Sequence, residues 1–294
     1  MLRLPTRVRR RLAVGLVNVL LLGVLAAAEP TSIEPLPGEV FLTEAEQAEA
    51  LRGADRDERA RLARLFEDEG NVLPVAYTRA LFRVDIHADG TQTVSEVGTP
   101  VRTPGSNLVL PDLRMAASSG SVARFDLYVS VGIGRLSGSG YRWVIANYFR
   151  WRGSSGIDAC NVSEDSIATA WAGGLALYKD ATYGYYQPFG GTVNALDIYR
   201  SDATANLGVG WSFHELKMRG SQVCTNVNWG EGDAYVTEQS WQDRISNVTT
   251  KYVHTKGNGS YSLGFSIPGG GPSISVTPAD SNQWSVAAFA TYNH

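Results

Sequence analysis

The stretch RALFRVDIHADGTQTVSEV, residues 79–97, sets Phe82, Val84 and Ile86 against Arg83, Asp85 and His87 with a period of two. Side chains alternate across an extended chain, so this segment has one apolar and one wet face, as a half-buried strand does. Asp89-Gly90 follows, a dipeptide suited to a two-residue type I′ turn, whose central residues both need positive φ. With that pair at the turn centre, Arg83 falls opposite Glu96 and Phe82 opposite Val97. Opposite charges then meet on one side and apolar groups on the other, which makes a hairpin self-consistent.

The rhythm persists to the carboxyl end. RFDLYVSVGI, YRWVIANYFRWR, IATAWAGGLALY, NALDIYR, LGVGWSFHELKM, QVCTNVNW, DAYVTEQSW, SISVTP and WSVAAFATYN are strand-like runs punctuated by Gly, Pro, Asn or Asp. Many short strands at such spacing predict an all-β, antiparallel β-sandwich over 71–294, with a barrel as the alternative closure. A proline- and serine-containing stretch near 98–121 is the one candidate subdivision, and no repeat at a fixed period is found.

Upstream the character differs. MLRLPTRVRRR carries five arginines, Leu12 to Ala28 is uncharged, and Ala26-Ala27-Ala28 precedes Glu29. Basic, apolar and small-residue regions in that order predict a secretory signal peptide over 1–28; the alternative, a retained anchor, has an apolar run at the short limit for spanning a bilayer. Residues 29–42 read as a proline-containing linker. Thr43 and Glu46 form a capping box, and Leu62, Leu65 and Phe66 recur at helical intervals, so 43–70 is expected to be a short acidic helical arm. Its bland reading is a solvated helical hairpin; its functional one is a removable or partner-binding segment.

The region beyond residue 70 is close to neutral, which excludes the concentrated basic footprint of nonspecific nucleic-acid binding. Cys160 and Cys224 are the two cysteines, and in an exported chain an even pair is expected to form a disulfide. The histidines, at 87, 214, 254 and 294, form no local metal motif, and neither metal nor cofactor is expected. Asp158, Asn161, Ser163, Glu164 and Asp165 offer hard oxygens that calcium could use, but their spacing matches no calcium loop, and a turn explains them better.

Two segments carry the functional expectations. In YRWVIANYFRWR, residues 141–152, one face (Tyr141, Trp143, Ile145, Asn147, Phe149, Trp151) reads as core, and the other places Arg142, Arg150 and Arg152 around Tyr148. Guanidinium groups beside a flat ring can hold anionic groups or a glycan, although a solvated strand face, with the arginine stems covering apolar surface, is the simpler account. In 245–267, centred on Asn258-Gly259, a hairpin would gather Val248, Tyr252, His254, Leu263, Phe265 and Ile267 on one face and Ser, Thr and Gly on the other, as membrane-inserting hairpins and sandwich strands both do.

Catalytic signatures fail. Gly210-Trp-Ser-Phe-His214-Glu215 lacks the last glycine of a nucleophile elbow and the second histidine of a zinc protease. The expected function is therefore a secreted, non-enzymatic binding protein for an extracellular or cell-surface ligand such as a glycan. The alternatives are a secreted pore-former, the one reading in which the chain meets a membrane, and an extracellular hydrolase with dispersed catalytic residues.

Overall fold

The computed structural model describes residues 45, 72–97, 101–102, 121–136, 143–152, 164–186, 194–214, 216–218, 224–238, 247–255, 261–269, 271–278 and 283–291. The signal segment, the linker, all of the acidic arm but Ala45, and most of 98–121 lie outside them. The elements, in chain order, are β1 (Val72–His87), β2 (Gln92–Glu96), β3 (Val101–Arg102), β4 (Ser121–Leu136), β5 (Trp143–Arg152), β6 (Glu164–Trp171), β7 (Leu175–Tyr186), β8 (Asn194–Ala195), β9 (Ile198–Thr204), β10 (Gly208–His214), β11 (Leu216–Met218), β12 (Cys224–Glu238), β13 (Asn247–Thr255), β14 (Tyr261–Ser266), β15 (Ser273–Pro278) and β16 (Gln283–Thr291).

Among the described residues every pairing is antiparallel. The larger sheet runs β2-β1-β4-β5-β12-β7-β8, with β3 beside β1 and β11 beside β12; the smaller runs β16-β13-β6-β10-β9; β14 and β15 form a separate ribbon. Both sheets are open paths, so the sandwich-like expectation holds and the barrel alternative does not.

The 79–97 hairpin forms with a register one residue from that expected. Phe82 pairs with Glu96, Arg83 with Ser95 and Val84 with Val94. The loop has three residues, closed by His87 N–H to Thr91 O at 2.9 Å, with Gly90 at φ 79°. This is the type I turn plus left-handed glycine that competes with the two-residue turn, and Asp89 selects it by accepting the Thr91 amide at 2.9 Å and the Thr91 hydroxyl at 2.7 Å. Arg83 consequently takes its carboxylate from the other neighbour, Asp126 of β4, at 3.2 Å, and Arg124 reaches Asp85 at 2.7 Å.

The core lies between the sheets. Phe82, Val129, Trp143, Ile145 and Phe149 from the larger sheet meet Ile167, Trp171, Trp211, Phe213, Tyr252 and Val286 from the smaller. Phe149 stacks on Phe213 at 4.9 Å, and each large ring removed from water contributes roughly 2–3 kcal/mol. Gly230 and Gly232 of β12 admit the rings of Phe149 and Trp211, which an added Cβ would overlap. At the crossing from β6 to β7, Gly173 and Gly174 have φ of 127° and 73°, which side-chain-bearing residues rarely adopt.

A third layer covers the smaller sheet. Leu263 and Phe265 of β14, with Ile274 and Val276 of β15, pack on Ala168, Ala170 and Val253. The two arms expected to pair across Asn258-Gly259 do not do so: β13 pairs β6 and β16, while β14 pairs β15. Thr250 and Tyr252 of β13 face a core that only a central strand can fill, whereas β14 offers just one apolar side, suited to capping.

Candidate functional site

Alternation along β6 sends two consecutive carboxylates to opposite faces of the smaller sheet: Asp165 inward and Glu164 outward. The suggested calcium loop loses these two as joint ligands; residues 158–163 lie outside the described ones. Each carboxylate gathers a histidine and a tyrosine from other strands.

Inside, Asp165 accepts the Tyr252 hydroxyl, His254 Nδ1 at 3.1 Å and, through its other oxygen, the Thr255 amide at 3.0 Å. Tyr252 in turn accepts Trp151 Nε1–H at 3.1 Å. Trp284 lies against His254 at 4.8 Å, and its own Nε1–H reaches Gln92 at 2.6 Å. Asp165, Tyr252, His254 and Thr255 are all fully buried, so a carboxylate out of water is held by three donors, as its desolvation requires.

Outside, Glu164 accepts the Tyr199 hydroxyl, and His214 Nε2 stands 3.5 Å from the same oxygen. These groups face solvent: the His214 and Glu164 side chains are 54% and 39% exposed, and Tyr199 is 41% exposed. Burial against its neighbours, then the Glu164 carboxylate, pushes the Tyr199 phenol up to about 12, so it remains a donor. In the adjacent row Ser212 is paired with Tyr199 on one side and Ser166 on the other. The two serine hydroxyls lie 2.8 Å apart, and the Tyr261 hydroxyl from β14 contacts Ser166 directly and Ser212 at 3.4 Å. Burial also raises the Tyr261 phenol.

One patch thus joins an aromatic ring, a carboxylate, an imidazole and three further hydroxyls, exposed at its rim and closed beneath Tyr261. It has the parts of a serine hydrolase without the connection. Among the described residues no hydrogen bond joins His214 to Ser212, whose Oγ is taken up by Ser166 and Tyr261.

The arginine face of β5 is differently placed from its expectation. Arg142 lies outside the described residues. Tyr148 is fully buried, tilted on Trp229 at 5.7 Å, and presents no flat surface to a ligand. Ser130, Glu231 and Tyr235 bury that face with it, so β5 is covered on both sides along most of its length. Arg150 is half-buried, and exposed Arg152 rests on Tyr128 at 4.5 Å. Cys160 is outside the described residues, and Cys224 opens β12. Of the proposed membrane face, Val248 and Tyr252 sit in the intersheet core, Leu263 and Phe265 cap the smaller sheet, and Ile267 is 46% exposed after β14.

Sequence reasoning singled out Ser212 and His214 but missed Tyr199, Ser166 and Tyr261, and did not link Glu164 to His214. Four strands separated by up to 97 positions supply these groups, and alternation alone does not tell which strands adjoin. Tyr178 and Tyr183, 59% and 55% exposed on β7, were likewise unmarked. Compared with protein-family models and with curated proteins, the chain matches none.

Proposed function

We propose that this is a secreted, non-enzymatic, sandwich-like protein that binds a hydroxyl-rich extracellular ligand, a glycan, at the Glu164 end of the smaller sheet's outer face. The observation that carries the reading is the Tyr199, Glu164 and His214 patch. A sugar presents two kinds of surface, a ring of polarised C–H bonds and a rim of hydroxyls. The tyrosine ring matches the first; a carboxylate accepts from paired hydroxyls, and an imidazole donates or accepts. The three groups come from β9, β6 and β10, neighbouring strands of one sheet, which holds them in a fixed relation at low conformational cost.

The expected result is measurable affinity for cellohexaose or chitohexaose by calorimetric titration, lowered about tenfold or more in Tyr199→Ala, as for an aromatic anchor worth at least 1.4 kcal/mol. Tyr183→Ala, on the larger sheet, serves as the control that should leave it unchanged. No affinity for either oligosaccharide, or equal loss in both variants, refutes the assignment.

A further inference from the structure

Among the described residues the ribbon of β14 and β15 pairs with no third strand, and two strands alone are marginal in water, so docking keeps it folded. Its seat is cut into the sheet: a Cβ on Gly208 would overlap Phe265, and one on Gly210 would overlap Leu263. Two polar ties hold β15 and the residues before it, Lys251 Nζ to the Ile274 carbonyl and Thr249 Oγ1 to the Pro272 carbonyl at 2.8 Å. On the β14 side the polar tie is Tyr261.

Beneath Tyr261 lie Ser166 and Ser212, 0% and 2% exposed, on a face that is not the intersheet core. They stand in one cross-strand row with the exposed Tyr199. Adjacent strands are about 4.8 Å apart, comparable to the length of one pyranose unit, so a chain lying across the strands from Tyr199 arrives next at this pair of hydroxyls. The Tyr261 hydroxyl already fills the place, touching both serines as a ligand hydroxyl would.

Resting on the function proposed above, we propose that Ser166 and Ser212 form a second subsite for the next unit of the same saccharide, and that β14 lifts to replace the Tyr261 hydroxyl with one from the ligand. A neutral hydroxyl exchanging for a neutral hydroxyl leaves the buried serines satisfied in both states, which keeps the cost of opening small. The subsite takes uncharged hydroxyl groups; a carboxylated or sulfated unit would be desolvated there without a cation.

The test compares a hexaose with its dimer by titration. Tyr261→Phe removes the competing hydroxyl and keeps the ring, so cellohexaose or chitohexaose should bind several-fold tighter while cellobiose and chitobiose are unchanged. Ser212→Ala should weaken the hexaose several-fold and spare the dimer. Native-state hydrogen exchange should show the β14 amides exchanging well ahead of those of β13, and faster still when the hexaose is added, because the ligand draws the ribbon toward its lifted state. A hexaose affinity indifferent to Ser212→Ala and Tyr261→Phe but lost in Tyr199→Ala overturns the subsite and leaves the binding function standing. Affinity absent from the wild-type chain overturns both, and β14 amides as protected as those of β13 overturn the opening.

Discussion

Glu164 and Asp165 are consecutive residues on one strand, and each meets a histidine and a tyrosine: His214 and Tyr199 for the first, His254 and Tyr252 for the second. The chemistry is nearly the same and the roles are opposite, because the pleat turns one pair of partners to water and the other to the core. Around Asp165 every donor is committed and two tryptophans close the site, which makes the cluster a fixed part of the architecture. Around Glu164 the ring, the imidazole and the carboxylate retain solvent, and a ligand can replace that solvent without breaking the fold. Histidine beside carboxylate therefore says little about function until its depth is known.

The sharpest way to break this contrast is to delete each carboxylate. Asp165→Ala leaves the Tyr252 hydroxyl, His254 Nδ1 and the Thr255 amide buried without their acceptor, and should cost about 3–5 kcal/mol in urea unfolding. Glu164→Ala removes a solvent-screened contact and should cost less than about 1 kcal/mol while reducing saccharide affinity. Equal destabilisation by the two would dissolve the distinction between a structural and a functional cluster.

A weaker perturbation probes the packing between the two sheets. Gly232 lies against the indole of Trp211, a rigid neighbour that cannot yield as a flexible chain end does, so Gly232→Ala should cost about 1–3 kcal/mol. Gly269, with nothing near its missing Cβ and no positive φ, supplies the contrast: Gly269→Ala should stay within about 0.5 kcal/mol of the parent. Thermal unfolding of the two variants side by side reads the difference.

How much of this could be read before folding differs between the two clusters. Periodicity disclosed the strands, the hairpin and the apolar sides of β1 and β5, because alternation is a local property. It did not disclose that β5 is buried on both faces: Val144, Ala146 and Tyr148 have the composition of a covered surface, but the flanking arginines suggested a wet one. The hairpin register slipped by one because Asp89 favours a three-residue loop through its own side chain, a choice the Asp-Gly dipeptide leaves open. The pairings of Glu164 with His214 and Asp165 with His254 were out of reach, since both depend on β6 lying between β10 and β13. Strand order follows from how whole sheets pack, and no local pattern encodes it.

Lys251 offers the smallest and most specific test, because it lies on the same outward face as Glu164 yet under the β14 and β15 ribbon. Burial holds its ammonium below the ordinary lysine value of 10.5. Over the window between its folded value and 10.5 the unfolded chain binds more protons than the folded one, so stability should rise with pH there and stay level below it. The raised phenols Tyr199 and Tyr261 act in the opposite sense: their contributions are complete below the ordinary tyrosine value of 10.0 and are lost above it. Measurements approaching 10.0 from below, where the phenol contributions are still in place, therefore read the lysine. Lys251→Met keeps the stem and removes the charge, and should abolish the upward slope while changing neutral-pH stability by less than about 1 kcal/mol, since the relief of desolvation is offset by the lost bond to the Ile274 carbonyl. A slope that survives the substitution would mean that Lys251 is as well solvated as the rim of the Glu164 patch, and that the ribbon does not seal the face it covers.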